Sequence, residues 1–224
     1  MFRRAYLEKN LEVDEFRLIL IRDEMEKRDY AHAERLCRER LEREQTEQRY
    51  RPSQWQYLLY EIYRDGGQRE EQICQARRLA LLGDRDFYQT TKELLTEDGR
   101  WPEIYPGFLA ELKAARPAHE YMEILELEGE VPLLMEQVRL NPKSVFRYGD
   151  VLTAQYQKEV YSLCAAVIRK DSKQAGNRGE YRALCGLIKS LAGFGGQAEA
   201  KAIIAELRQR YPRRPALLDE LGRV

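Results

Sequence analysis

The stretch DRDFYQTTKELLTEDGRWPEIYPGFLAELKA, Asp84 to Ala114, carries the structural unit from which this chain is built. Phe87, Tyr88, Thr91, Leu94 and Leu95 recur at the spacing of one face of a 3.6-residue helix. Asp84 or Asp86 offers a carboxylate to cap that helix. Gly99 supplies a residue that tolerates the left-handed conformation in which helices end, and Pro102 suits the first turn of a new one. Ile104, Tyr105, Phe108, Leu109 and Leu112 mark a second apolar stripe. Two short amphipathic helices joined by a tight turn cannot bury both stripes alone, so the unit predicts an array of packed hairpins.

The same grammar runs outward in both directions. Toward the N-terminus, a helix is expected over Val13–Arg28, with Phe16, Ile19, Leu20 and Met25 on its face. After Asp29 a longer helix carrying Ala33, Leu36, Cys37 and Leu41 should run toward Gln48. Pro52 opens an element with Trp55, Leu58, Leu59, Ile62 and Tyr63 in phase, and Gly66-Gly67 turns it into a helix with Ile73, Ala76, Leu79 and Ala80.

Toward the C-terminus, Tyr121, Ile124 and Leu125 precede Gly129, after which Val131, Leu134, Met135 and Val138 form the returning stripe. Val145, Phe146, Tyr148, Val151 and Leu152 start a helix that Gln155 to Gln157 should interrupt, its partner carrying Val160, Cys164, Ala165 and Ile168. A helix from Asn177 to Leu191 then turns at Gly193-Phe194-Gly195-Gly196 into Ala198, Ala202, Ile203 and Leu207. Turns near residues 29, 66, 99, 129, 155 and 195 recur about every 30 to 40 residues, the period of helix-turn-helix repeats. Strand-type alternation is missing. The expectation is an all-α, tetratricopeptide-like helical-repeat solenoid, one domain over 1–224 with weak breaks near 116–117 or 173–176.

Composition narrows function mainly by exclusion. Of 224 residues 43% are hydrophobic, enough for a folded core, and 38 basic residues balance 38 acidic ones. A chain of zero formal charge has no global field to steer it to nucleic acid or an anionic membrane. No run approaches the roughly 18 apolar residues of a membrane span, and the opening MFRRAYLEKN has no apolar leader core, which predicts a cytoplasmic location. Cys37, Cys74, Cys164 and Cys185 are widely spaced without a CxxC pair and read as buried free thiols. With His32 and His119 far apart in sequence, no metal site is expected.

Motifs for chemistry are sparse. Gly193-Phe194-Gly195-Gly196 lacks the preceding strand and following Lys-Ser or Lys-Thr of a phosphate loop and reads as a turn. Glu123, Glu126, Glu128 and Glu130 form a ridge rather than an acid/base pair. Trp55, Tyr57, Tyr60 and Tyr63 suit a helix buried on two sides better than a base-stacking platform, since no basic groove accompanies them. The charged face of ERLCRERLEREQTEQR, Glu34–Arg49, alternates in sign and reads as solvated. Arg208, Arg210, Arg213 and Arg214 are the densest basic patch, available either to contact phosphates or to neutralise the C-terminal end of a helix dipole. No catalytic residue and no cofactor are assigned.

The tail KAIIAELRQRYPRRPALLDEL, preceded by YRALCGLIKSLAGFGGQAEA and, further back, by the hairpin at Trp101 and QARRLALLGD, resembles the C-terminal helical-repeat region of bacterial SWIM zinc-finger proteins, over most of the chain. The finger itself, a CxC followed by CxH, has no counterpart here, so its metal ligands do not carry over. The resemblance implies an appended scaffold. Three functions follow as expectations: a non-catalytic scaffold that holds a protein partner, an accessory module whose link to nucleic acid is indirect, and an enzyme, for which no small-molecule substrate is suggested.

Overall fold

A computed structural model describes residues 2–44 and 52–224. Among these residues there are thirteen α-helices and no strand, in agreement with the all-α expectation. The helices are α1 (Phe2–Lys9), α2 (Asp14–Glu26), α3 (Tyr30–Glu44), α4 (Gln54–Asp65), α5 (Arg69–Leu81), α6 (Arg85–Glu97) and α7 (Trp101–Ala115), followed by α8 (Ala118–Leu127), α9 (Val131–Leu140), α10 (Val145–Gln174), α11 (Arg178–Gly193), α12 (Gln197–Arg210) and α13 (Pro215–Leu221). The expected extension of α3 to Gln48 falls outside the described residues. Helices α1 and α13 have no counterpart among the expected elements. Both are short, and the sign of α13 was a proline at its first turn.

One turn geometry recurs through the chain. The amides of Asp29, Gln68, Asp84, Arg100, Glu130 and Gly196 donate to the carbonyls of Glu24, Tyr63, Leu79, Leu95, Leu125 and Leu191, at 2.8 to 3.2 Å. In every case the residue before the donor has positive φ: Arg28 at 62°, then Gly67, Gly83, Gly99, Gly129 and Gly195. This is the closure in which one left-handed residue lets the chain satisfy the orphan carbonyls of a helix end. Every accepting residue is buried, so the turn is anchored in the core. Gly99, at φ 70°, shows why the position is nearly always glycine: a Cβ there would strain the backbone although nothing lies within 4 Å of it.

Helix α10 reverses direction by another route. It is helical throughout except at Tyr156, where φ −123° and ψ 31° break the run, within the expected Gln155–Gln157 interruption. Its two limbs fold back on each other, as an ion pair between Lys143 and Asp171 at 3.0 Å requires.

Packing divides the chain into two compact units, Met1–Pro117 and Ala118–Val224. The boundary lies where Arg116, held extended at φ −106° and ψ 149°, precedes a proline that disfavours helix. Within each unit, helices pack chiefly on their neighbours in chain order. In the first, Leu20, Ile21, Ala33, Leu36, Cys37, Trp55, Leu59 and Ile62 form one core cluster. Ile73, Ala76, Leu94 and Leu95 form another, against which Tyr60, Phe87, Trp101 and Ile104 pack. Phe108 is fully buried and stacks on Tyr88 at 5.9 Å. Trp101 is only partly buried, because it opens α7 and lies at the edge of the cluster. In the second unit the core includes Leu125, Leu134, Val145, Tyr148, Val160, Ile168, Leu184, Ile188, Ile203, Leu207 and Leu217.

Arginines tie successive helices together. Arg69, at the start of α5, donates to the Leu94 carbonyl at 2.9 Å and pairs with Glu97 and Asp98 at the end of α6. Arg116 donates to the Ala80 carbonyl at 2.8 Å near the end of α5. Both carbonyls also accept a backbone amide, from Asp98 at 3.3 Å and from Gly83 at 3.2 Å, so each arginine adds a second donor to a carbonyl near the C-terminal end of a helix.

Candidate functional site

The basic patch expected from sequence is largely taken up by structure. Arg214 Nη1 donates to the carbonyls of Ser172 and Ala175 at 3.1 and 3.0 Å, closing the C-terminus of α10, and its guanidinium lies 4.2 Å from the Tyr211 ring centroid. Arg208 donates to the Leu221 carbonyl at 3.3 Å, closing α13. Arg210 pairs with Glu206 at 3.9 Å across the surface of α12. Arg213 is exposed and has no partner among the described residues. Arg210 also lies 5.8 Å from the Tyr211 ring centroid, so Arg210 and Arg214 share that ring while Arg208 and Arg214 are engaged with backbone carbonyls.

The glycine turn is likewise consumed by packing. The Phe194, Gly195 and Gly196 amides donate to the carbonyls of Ser190, Ala192 and Leu191, which commits them to the turn rather than to an anion. The Phe194 ring lies directly over Gly149 of α10, where a Cβ would collide with it. Its carbonyl accepts from the Tyr161 hydroxyl at 3.0 Å, and Gln157 donates to that hydroxyl at 3.1 Å. The turn between α11 and α12 is thus a plug seated on the folded α10.

Aromatic and acidic candidates resolve the same way. Tyr57 and Tyr60 pack on Phe87 of α6, with ring centroids 5.7 and 4.7 Å apart, so they join helices instead of offering a stacking surface. Burial, with the hydrogen bond that Tyr57 gives to the Asp84 carboxylate at 2.6 Å, pushes this phenol up to about 12. Glu123 pairs with Arg147 at 2.7 Å. Over the Tyr156 hinge lies an open depression in which Glu159 is gripped by Arg139 at 2.7 and 2.9 Å. That hydrogen bond draws the carboxyl below its ordinary range, which suits a fixed ion pair rather than a proton donor.

The cysteines correct one expectation. Cys37, Cys164 and Cys185 are buried, but Cys74 is exposed, since it faces outward between the inward-facing Ile73 and Gln75–Ala76 of α5. Cys37 donates to the Trp55 carbonyl at 3.1 Å, and burial pushes the Cys164 thiol up to about 12.

Among the described residues, one cluster has metal-ligand chemistry: Glu24, Asp29 and His32 bring their donor atoms within 4.8 Å of one another. Glu24, however, is already surrounded by cations. Its Oε1 lies 3.1 Å from Arg4 and 2.9 Å from Lys27, and its Oε2 lies 3.4 Å from His32 Nδ1. Asp29 caps α3 by accepting the His32 amide at 3.1 Å. The cluster joins α1, α2 and α3, and a divalent ion would have to displace a guanidinium and an ammonium group to enter it.

What remains is a groove in the second unit. Phe146, Val167 and Ala175 of the α10 region face Ala183, Leu184 and Leu187 of α11 across a cavity of about 440 Å³. Val167, Ala175 and Leu184 form its buried floor, while Phe146 and Leu187 are half exposed and Ala183 is open to solvent. At its mouth stand the Lys143–Asp171 ion pair, Gln174 and Glu180. Glu180 Oε2 accepts the Gly176 amide at 2.6 Å, and the Asn177 side chain caps α11 by accepting the Glu180 amide at 3.0 Å. The bond from Gly176 holds the Glu180 carboxyl below its usual range, so it stays ionised. Phe146 is a stripe residue by its spacing, and Leu187 lies within the helix expected from Asn177 to Leu191, but spacing alone does not show the groove between them. The signal was there: each sits beside another stripe residue, Val145 and Ile188, making the stripe wider than one hairpin contact can cover.

No described helix is long and apolar enough to cross a membrane. Comparison of the chain with protein-family models, curated proteins and solved structures finds no match.

Proposed function

We propose that this chain is a non-catalytic protein-interaction module, a tetratricopeptide-like stack of helical hairpins that presents the α10–α11 groove to a partner. The observation that carries this reading is the pairing of a recurring, core-anchored hairpin turn with a solvent-open apolar groove whose mouth holds an ion pair, a capping carboxylate and Gln174. Stacked hairpins characteristically hold extended partners on such surfaces. Catalysis would call for convergent titratable groups with mismatched environments, and the groove mouth instead holds one ion pair and one ionised cap. The accessory-module alternative, drawn from the likeness to the region that follows SWIM zinc fingers, would rely on the arginines of the tail. It is weakened by the backbone contacts of Arg208 and Arg214.

The test is cross-linking of the tagged chain in the cells that make it, followed by mass spectrometry. The expected result is a small set of proteins enriched over a tag-only control and unchanged by nuclease treatment. A set that vanishes with nuclease would favour the nucleic-acid-associated alternative, and the absence of any enriched protein would sink the interaction reading.

A further inference from the structure

The mouth of the α10–α11 groove is electrostatically asymmetric. Lys143 and Asp171 neutralise one another at 3.0 Å, whereas no cation of the groove lining answers the exposed carboxylate of Glu180. One Glu180 oxygen is bound by the Gly176 amide, which fixes the side chain at the mouth without cancelling its charge. An apolar floor of Val167, Ala175 and Leu184 thus lies beside a single positioned anion. The volume, about 440 Å³, is in the range of sites that enclose small ligands or a few side chains, about 300 to 1,000 Å³.

We infer that this groove binds a peptide segment of a partner protein in which an aliphatic or aromatic side chain stands next to a lysine or arginine, the apolar group entering between Phe146 and Leu187 and the cation pairing with Glu180. The inference rests on the protein-interaction reading above and adds the chemistry of the partner. A peptide carrying an acid at that position would meet Glu180 across a short distance and be rejected, so the carboxylate serves selection as much as affinity. The amide group of Gln174, exposed at the same mouth, is a donor and acceptor of the kind that a peptide backbone needs.

The test begins with selection of a displayed random peptide library on the full chain, followed by fluorescence anisotropy with the most enriched peptide. Enrichment of sequences in which a large apolar residue neighbours a lysine or arginine is expected. Ala183→Trp places a large ring over the mouth from an exposed position and leaves the core alone; it should weaken the selected peptide at least tenfold while the circular dichroism spectrum and Tm stay unchanged. Glu180→Gln can still accept the Gly176 amide through its carbonyl oxygen but carries no charge. It should weaken binding about two- to fivefold at low salt, the scale of an exposed ion pair, and the loss should fade at high salt.

Enriched peptides that lack a basic residue, or that are acidic, would overturn the inference. Peptides that bind Ala183→Trp as tightly as the wild type would overturn it too, while leaving the interaction reading in place with its site elsewhere. A library that yields no binder would remove the groove as a peptide site, and the cross-linking experiment would then decide the interaction reading separately. Self-association of the chain that Ala183→Trp abolishes would show a second copy in the groove and would likewise overturn the peptide assignment.

Discussion

Lys143 Nζ lies 3.0 Å from a carboxylate oxygen of Asp171, although an uninterrupted helix rising about 1.5 Å per residue would hold the two residues about 40 Å apart. The contact exists because Tyr156 leaves the helical region and the α10 limbs fold together. Spin labels at these two positions should report a short distance in solution. A distribution centred near 40 Å would mean that α10 is a single rod and that the groove beside it does not exist in this form.

Phe108 and Trp101 belong to one aromatic cluster, their ring centroids 6.4 Å apart, yet their burial differs. Phe108→Ala should cost about 3 to 5 kcal/mol in chemical denaturation, the range for emptying a fully buried ring site. Trp101→Ala should cost less, because the residue is partly exposed and the lost contacts include a cation–π approach from Lys92 at 5.8 Å. Equal losses would show that Trp101 carries more of this core than its exposure implies.

The hairpin pattern was legible in the sequence because it is local. Stripe spacing and turn glycines act within one or two helices, so Asp84 as the cap of α6, Gly99 as the end of that helix and the break in α10 could all be read in advance. What could not be read was tertiary pairing. Nothing near Arg214 announces that its partners are Ser172 and Ala175, and nothing in α5 distinguishes exposed Cys74 from its buried neighbours until α4 and α6 are in place. Arg28 shows a limit of another kind. It occupies a left-handed turn, at φ 62°, that glycine fills in the other turns of this type, so a search for glycine alone would miss it.

Gly149 separates packing from propensity. Its Cα faces the Phe194 ring, so Gly149→Ala should cost about 1 to 3 kcal/mol by displacing the plug. Gly186, inside α11 with open space around a built Cβ, is the control. There the same change should stabilise by about 0.5 to 1 kcal/mol, because alanine is the better helix former. If both substitutions stabilise the protein, Phe194 does not sit where the structure puts it.

The two neighbouring arginines of the tail should behave differently. Arg214→Ala leaves two carbonyls at the end of α10 without their donor and should destabilise by about 1 to 2 kcal/mol. Arg213→Ala touches no partner and should stay within about 0.5 kcal/mol of the wild type. Equal and small effects would return both residues to the pool of arginines available for phosphate contacts, and filter binding to duplex DNA at low and moderate salt would then be the deciding measurement.

Glu24 sets a pH dependence for the first unit. It is 1% exposed and faces Arg4, Lys27 and His32, with Asp29 alongside. Burial alone would raise its pKa, but the Lys27 hydrogen bond and the charges of Arg4, Lys27 and His32 outweigh it, so the folded carboxyl titrates below its unfolded value. A depressed carboxyl pKa stabilises the fold above the unfolded value, about 4.3 for glutamate, and that stabilisation is lost as pH falls through the lower folded value. Glu24→Gln keeps the shape and removes the charge. Urea denaturation should show it about 2 kcal/mol less stable near pH 7, with the gap constant down to about pH 5 and closing below about pH 4. A gap that widens on acidification would reverse the sign of the argument. Zinc added at neutral pH should leave the Tm of the wild type unchanged, because its entry costs the Arg4 and Lys27 contacts; a rise in Tm that Glu24→Gln abolishes would make this cluster a metal site instead.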